Sequence, residues 1–303
     1  MLKFAGNRPP SPSIAEKDFL QDALRKKLRL DGRKPMDLRP ISFSFGPELG
    51  WVDCSLGKTR VLAQVDAKMV KPLPERPYEG LITIHSEISP MAGPEYDTAR
   101  PSEEEIGISR MLDKIVKRSD ALDKESLCVL AGQRVWHLRL TVHFISDAGN
   151  MLDCAVLASM VALRHFRRPE VEVIGDEVII HSPSERAPVP LALHHIPLCL
   201  TFAFFPPPSN PTSKNNEVQE ETPPPIVLAD PNTLEERLAD GTLSVALNVQ
   251  RELCVLHKAG GLPLEPAEVM KVVQRATFLV KELDELVEAR LREDWEGRHV
   301  EVR

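Results

Sequence analysis

An α+β architecture is predicted by three features of the chain. Strand-type alternation comes before helical periodicity in each half, whereas a doubly wound sheet would interleave the two unit by unit. Between 136 and 144, Trp136, Leu138, Leu140, Val142 and Phe144 alternate with His137, Arg139, Thr141 and His143, which predicts one long strand with a buried face. Residues 151 to 166 are apolar almost all round, so they predict a helix held inside the molecule against a sheet. Neither GxGxxG nor GxxxxGK[ST] occurs, so nucleotide-cofactor folds have no support.

The remaining elements follow in order. Residues 1–12 carry Pro9, Pro10 and Pro12 and predict a flexible arm. Ser13 and Glu16 have capping-box spacing, and Phe19, Leu20, Ala23, Leu24 and Leu28 supply the apolar face of a first helix. The turn-rich stretch 28–40 leads into three short strands at 41–45, 51–55 and 60–65, and a fourth spans 81–85. After a loop at 86–101, Ile108, Met111, Leu112, Ile115 and Leu122 mark the buried stripe of a second helix. Arg110, Lys114, Lys117 and Arg118, at i, i+4, i+7 and i+8, put four cations on another face of it.

Asp147-Ala148-Gly149-Asn150 then turns the long strand into the apolar helix. Gly175-Asp176 predicts a hairpin between 171–174 and 177–180. A linker at 182–190 separates a first half, 13–185, from a second, 186–303. The second half opens with a strand at 198–205. The proline-rich polar insertion 206–225 is expected to be disordered. A strand at 226–228, a short acidic helix and strands at 243–249 and 252–257 follow. Pro266 then opens a long helix to 294, with a stripe of Val269, Val272, Ala276, Leu279, Leu283 and Leu286 expected to cover the body.

Composition narrows the function classes. A chain of 303 residues, 42% hydrophobic and 27% charged, can bury a large core. No apolar run reaches the roughly 20 residues that span a bilayer, so no membrane role is expected. The N-terminus lacks a signal-peptide core, and secretion is not expected. The five cysteines are dispersed, without CxxC or Cys/His spacing, and read as free thiols in a reducing compartment. No metal or cofactor is expected. A net charge of −7 excludes bulk electrostatic adhesion to nucleic acid, so any RNA contact must use a local patch.

Three constellations bear on chemistry. His194-His195 are adjacent on an extended stretch and point to opposite sides, which suits a structural or interface role better than a shared metal. Gly149-Asn150 at a helix start could cradle a phosphate. Asn150 as a cap, and Asp153 in the first turn, would satisfy those donors internally and repel an anion. The four cations make a phosphate-sized surface, open either to RNA or to solvent.

The segments LRLDGRKPMDLRP (28–40) and GWVDCSLGKTRVLAQV (50–65) resemble the RNase PH-like family. ISRMLDKIVKRSDALD, VWHLRLTVHFISDAGNMLDCAVLASMVAL and LHHIPLCLTF continue that pattern in order, over about residues 25–260. Within the family the likeness is to the eukaryotic exosome ring subunits of the PM/Scl autoantigen type. The resemblance implies an RNase PH-like fold of two pseudo-symmetric βαβα-type halves, and assembly with other RNase PH-like subunits into a ring with a central RNA channel. It implies further partners: S1/KH-type cap subunits, associated hydrolytic nucleases and single-stranded RNA. It implies rRNA processing and RNA degradation in nucleus, nucleolus and cytoplasm.

Active members use inorganic phosphate to cleave RNA from its 3′ end. Their phosphate loop reads Gly-Thr-Arg where this chain has Gly149-Asn150-Met151, and their two catalytic aspartates align with Glu236 and Thr242. The resemblance therefore implies an inactive homologue with no catalytic residues. It maps Arg110, Lys114 and Lys117 onto positions that meet RNA backbone, with Arg118 added on helical spacing alone.

Overall fold

The computed structural model describes residues 12–96, 101–175, 177–182, 185–206, 225–261 and 263–298. The expected arm apart from Pro12, and the insertion apart from Pro206 and Pro225, lie outside the described residues.

Helix α1 (Ile14–Arg25) starts at the Ser13/Glu16 capping box, and Leu20 and Leu24 turn inward. Strands β1 (Ile41–Phe45), β2 (Trp51–Leu56) and β3 (Thr59–Val70) form an antiparallel meander. Next come β4 (Leu81–Ile88) and α2 (Glu103–Leu112), which passes into a π-helical turn at Asp113–Arg118. The short β5 (Cys128–Leu130) precedes β6 (Arg134–Ser146), which occupies the sheet interior. It pairs antiparallel with β3, Val65 facing Leu140, and parallel with β4, Ile84 facing the same Leu140. The sheet order is β1-β2-β3-β6-β4, with β5 added to β6. β3 and β4 each run several residues beyond the spans expected for them. Pairing with a long central strand supplies hydrogen bonds that the side-chain pattern does not reveal.

α3 (Met151–His165) follows, then β7 (Arg167–Arg168), the hairpin β8 (Val171–Ile174) and β9 (Glu177–Ile180), and β10 (Val189–Pro190), which returns to β7. The second sheet contains β11 (Leu198–Phe205), β12 (Ile226–Ala229), β13 (Gly241–Leu247) and β14 (Leu253–Ala259) in the order β12-β11-β13-β14, all antiparallel. α4 (Thr233–Leu238) bridges β12 and β13, and α5 (Pro266–Gly297) closes the chain.

α3 explains its own composition. It touches β2, β3 and β6 on one side, and β11 and α5 on the other. Nearly every residue is therefore buried, including Val156, Met160, Leu163 and the small Ala155, Ala158 and Ala162 that allow close approach. One continuous hydrophobic cluster runs from β2 through α3 to α5. The mixed α+β fold and the long terminal helix are as expected, with one correction of detail. The buried stripe of α5 is Val272, Ala276, Leu279, Val280, Leu283 and Val287, while Leu286 is only half-buried.

The motif at 28–40 fastens the two sheets together. Arg29 is fully buried against Glu235, with Nη2 to Oε2 at 2.5 Å, and donates to the Ala229 and Asp230 carbonyls at 2.8 Å each. Arg39 grips Asp230 through its own backbone N–H, Nε and Nη2, and Arg33 Nη1 reaches the same carboxylate at 3.0 Å. Buried charges of this kind are tolerated only when paired and hydrogen-bonded on all sides.

Candidate active site and nucleic-acid interface

The strand–turn–helix at 146–151 sits where the two halves meet. Gly149 adopts φ +88°, and a Cβ there would lie 2.4 Å from the Thr233 backbone nitrogen, so only glycine lets α4 dock on the turn. The carbonyls of the turn face inward: Gly149 O accepts from Thr59 Oγ1 at 2.7 Å and Arg39 Nη2 at 3.0 Å.

Asn150 does not cap α3, contrary to the sequence expectation. It lies in the left-handed region at φ 52°, and its amide donates to Asp153 Oδ2 and Asp230 Oδ1, both at 2.8 Å. Nor does Asp153 serve the helix start. Its carboxylate accepts from Thr201 N at 2.6 Å and Thr201 Oγ1 at 2.8 Å, tying α3 to β11. The group that meets the turn is Glu236, from α4, whose Oε2 accepts from Asn150 N at 3.0 Å. A sequence-adjacent carboxyl loses to one from the other half because the left-handed backbone at Asn150 aims its side chain inward.

Further acids crowd this point. The Tyr96 hydroxyl lies 2.9 Å from Asp147 Oδ2 and 3.2 Å from Glu104 Oε2. Burial, then the charges of Glu236 and Asp147, raise the Glu104 carboxyl to about 7. Burial likewise raises Glu236, against the hydrogen bond from Asn150. Burial raises Asp153 to about 7 despite its donors. Burial would also raise Asp230, but hydrogen bonds and charge from Arg39, with the Asn150 amide, bring it below the ordinary value. The Tyr96–Glu104–Asp147 group left no periodicity or motif in the sequence; only the fold collects it.

The basic helix stands on different terms. Its stripe is buried as expected at Ile108, Met111, Leu112 and Ile115, joined by Val116, and Leu122 is buried beyond its end. The π-helical turn departs from the uniform helix assumed for the i, i+4, i+7, i+8 row, so Lys114, Lys117 and Arg118 do not keep α-helical spacing from Arg110. Arg110, Lys117 and Arg118 are exposed, and Lys114 is half-buried. Among the described residues none of the four has an ion-pair partner; the neighbouring Asp120 is taken by Lys124 at 2.6 Å.

Of the other candidates, His194 is exposed with Nε2 4.0 Å from Asp123, while His195 Nε2 is buried without a hydrogen-bond partner among the described residues. Cys54, Cys154 and Cys199 are buried free thiols, and Cys128 and Cys254 are partly buried ones.

Comparison with known proteins gives this geometry a lineage. Residues 37–169 match the model of the 3′ exoribonuclease family, domain 1, and residues 195–277 that of domain 2. The chain is 40% identical to the exosome complex component rrp45 of Schizosaccharomyces pombe over 282 residues, covering 93% of this chain and 91% of the relative. It is 39% identical to RRP45 of Saccharomyces cerevisiae, covering 95% and 93%. It is 41% identical to human RRP45, covering 94% of this chain but 62% of that longer protein. In fold it is similar to a chain of the Archaeoglobus fulgidus exosome with RNA bound to the active site, at TM-score 0.70 and 23% identity, covering 89% of this chain and 97% of that one. An archaeal exosome core chain gives TM-score 0.67 at 21% identity, covering 90% and 96%. The chain thus belongs to the RNase PH 3′ exoribonuclease family, on the branch of the exosome components RRP45.

Proposed function

We propose that this chain is a non-catalytic wall subunit of an RNA exosome ring, supporting 3′-to-5′ RNA processing and degradation carried out by other subunits. The observation that carries the reading is the Glu236 carboxylate on the Asn150 N–H. The place where active relatives receive phosphate is filled by the chain's own anion, with Asp147 and Glu104 beside it. A phosphate would have to displace a carboxylate and approach two more, without the arginine that Met151 replaces. Relatives that match more than nine-tenths of the chain are named exosome components, which supports assembly into an exosome. In this reading its partners are other RNase PH-like ring subunits, S1/KH-type cap subunits and hydrolytic nucleases, and it works in nucleus, nucleolus and cytoplasm.

The unpaired cations Arg110, Lys114, Lys117 and Arg118 are the surface for the RNA backbone. Purified chain incubated with RNA, inorganic phosphate and Mg²⁺ is expected to release no nucleoside diphosphates. Their release, abolished by Glu236→Ala, would replace this reading with an active phosphate-dependent 3′-to-5′ exoribonuclease.

A further inference from the structure

A second site lies at the far end of α3, about 22 Å from the candidate anion position, taking its 15 residues at a rise of 1.5 Å each. A cavity of about 410 Å³ opens there between the last turns of α3 and α5 and the segment 191–196. That size falls in the range of ligand clefts. Its floor is aliphatic, made by Leu191, Leu193, Ile196 and Leu291. Its polar lining is Arg164, His165, Arg167, Arg292 and Trp295, with one carboxylate, Glu288, which is taken by Arg164.

The lining arginines are not equivalent. Arg164 is neutralised by Asp284 and Glu288. Arg167 stacks on Trp295, with Cζ 5.1 Å from the ring centroid, and Arg292 is exposed; neither has an ion-pair partner among the described residues. Two unmatched guanidiniums above an aliphatic floor, on a chain of net charge −7, are complementary to a ligand with carboxylates flanking an apolar side chain. A nucleobase fits less well. One face of the Trp295 ring is already covered by Arg167, and two cations suit one or two anionic groups rather than a polyanion track.

We infer that this cavity is a docking site for a short acidic peptide segment of a partner protein, with one large apolar residue seated on Leu191, Leu193, Ile196 and Leu291 and its carboxylates held by Arg167 and Arg292. The site is independent of the RNA-facing ridge and of the inactivity of the anion position.

The test is fluorescence anisotropy of the full chain with labelled, end-blocked hexapeptides Ser-Glu-X-X-Glu-Ser, where X is Leu, Ile or Phe. A Ser-Ser version and labelled hexauridylate serve as comparison probes. At least one apolar peptide is expected to bind saturably, with the Ser-Ser version at least tenfold weaker. Arg292→Glu, an exposed helix position whose folding circular dichroism can verify, should weaken binding tenfold or more. Trp295→Phe should retain binding while removing the tryptophan fluorescence change that accompanies it. Absence of saturable peptide binding, binding indifferent to Arg292→Glu, or preferential capture of hexauridylate at this site would each overturn the assignment.

Discussion

Asp153 shows how much one side chain can carry when its surroundings are fixed by distant chain segments. It is buried between α3 and β11, accepts from Asn150 and from both donors of Thr201, and still titrates near 7 because burial outweighs those bonds. A carboxyl raised in the folded state lets the native protein hold a proton that the unfolded chain releases from roughly pH 4 upward. Its contribution to stability is therefore largest in acid and declines as pH rises toward 7. The raised carboxyl of Glu236 acts in the same direction. Asp153→Asn is expected to flatten the decline of denaturation midpoint between pH 4 and 7 without removing it. The amide nitrogen can donate to Thr201 Oγ1, which can then donate to Ser244 Oγ at 3.0 Å. An unchanged pH slope in the variant would show that Asp153 ionises freely in the folded protein.

Two helices illustrate the element scale. In α2 the apolar stripe fixes which side is core, but the π-helical turn re-aims the cations that share the helix. In α5 the stripe drifts around a 32-residue helix, so Val280 and Val287 are buried while Leu286 is half-open. The two leucines predict different outcomes for the same truncation. Leu279→Ala should destabilise by roughly 2–5 kcal/mol, the range for a core leucine that leaves a cavity. Leu286→Ala should cost about 1 kcal/mol, since less apolar surface returns to water. Equal costs in urea denaturation would contradict the observed rotation of α5. The end of the helix is pinned as well: Arg298 donates to the Gly46 and Pro47 carbonyls, and Asp294 meets the His165 ring at 3.1 Å.

For the molecule as a whole, charge is distributed with evident separation of roles. The arginines of the 28–40 motif are consumed inside, holding Asp230 and Glu235 where the two sheets meet. Removing one partner, as in Asp230→Ala, should cost about 3–5 kcal/mol by stranding the buried guanidinium of Arg39. The cations of the α2 ridge have no ion-pair partner among the described residues, and in the proposed function they meet RNA, on a chain of net charge −7. RNA affinity of the assembled ring should therefore be salt-dependent. Charge reversal at Arg110, Lys114 and Lys117 should lower the slope of log affinity against log salt by about 0.7 for each phosphate of single-stranded RNA that is no longer neutralised. A slope identical to that of the unaltered ring would remove RNA from this face.

The sequence by itself determined the main element types, the buried character of α3 and the inner face of α2, because period and composition encode which side of each segment leaves water. The resemblance it carried also pointed to the family. Only the tertiary structure decided what occupies the anion position. Asn150 was legible as a helix start, yet its left-handed backbone turns its amide inward, and a glutamate 86 residues later takes the N–H. The grouping of Tyr96 with Glu104 and Asp147, and the cavity between the ends of α3 and α5, were likewise invisible. They depend on which segments pack together, and hydrogen bonds and cavities between distant segments leave no period in the chain that makes them.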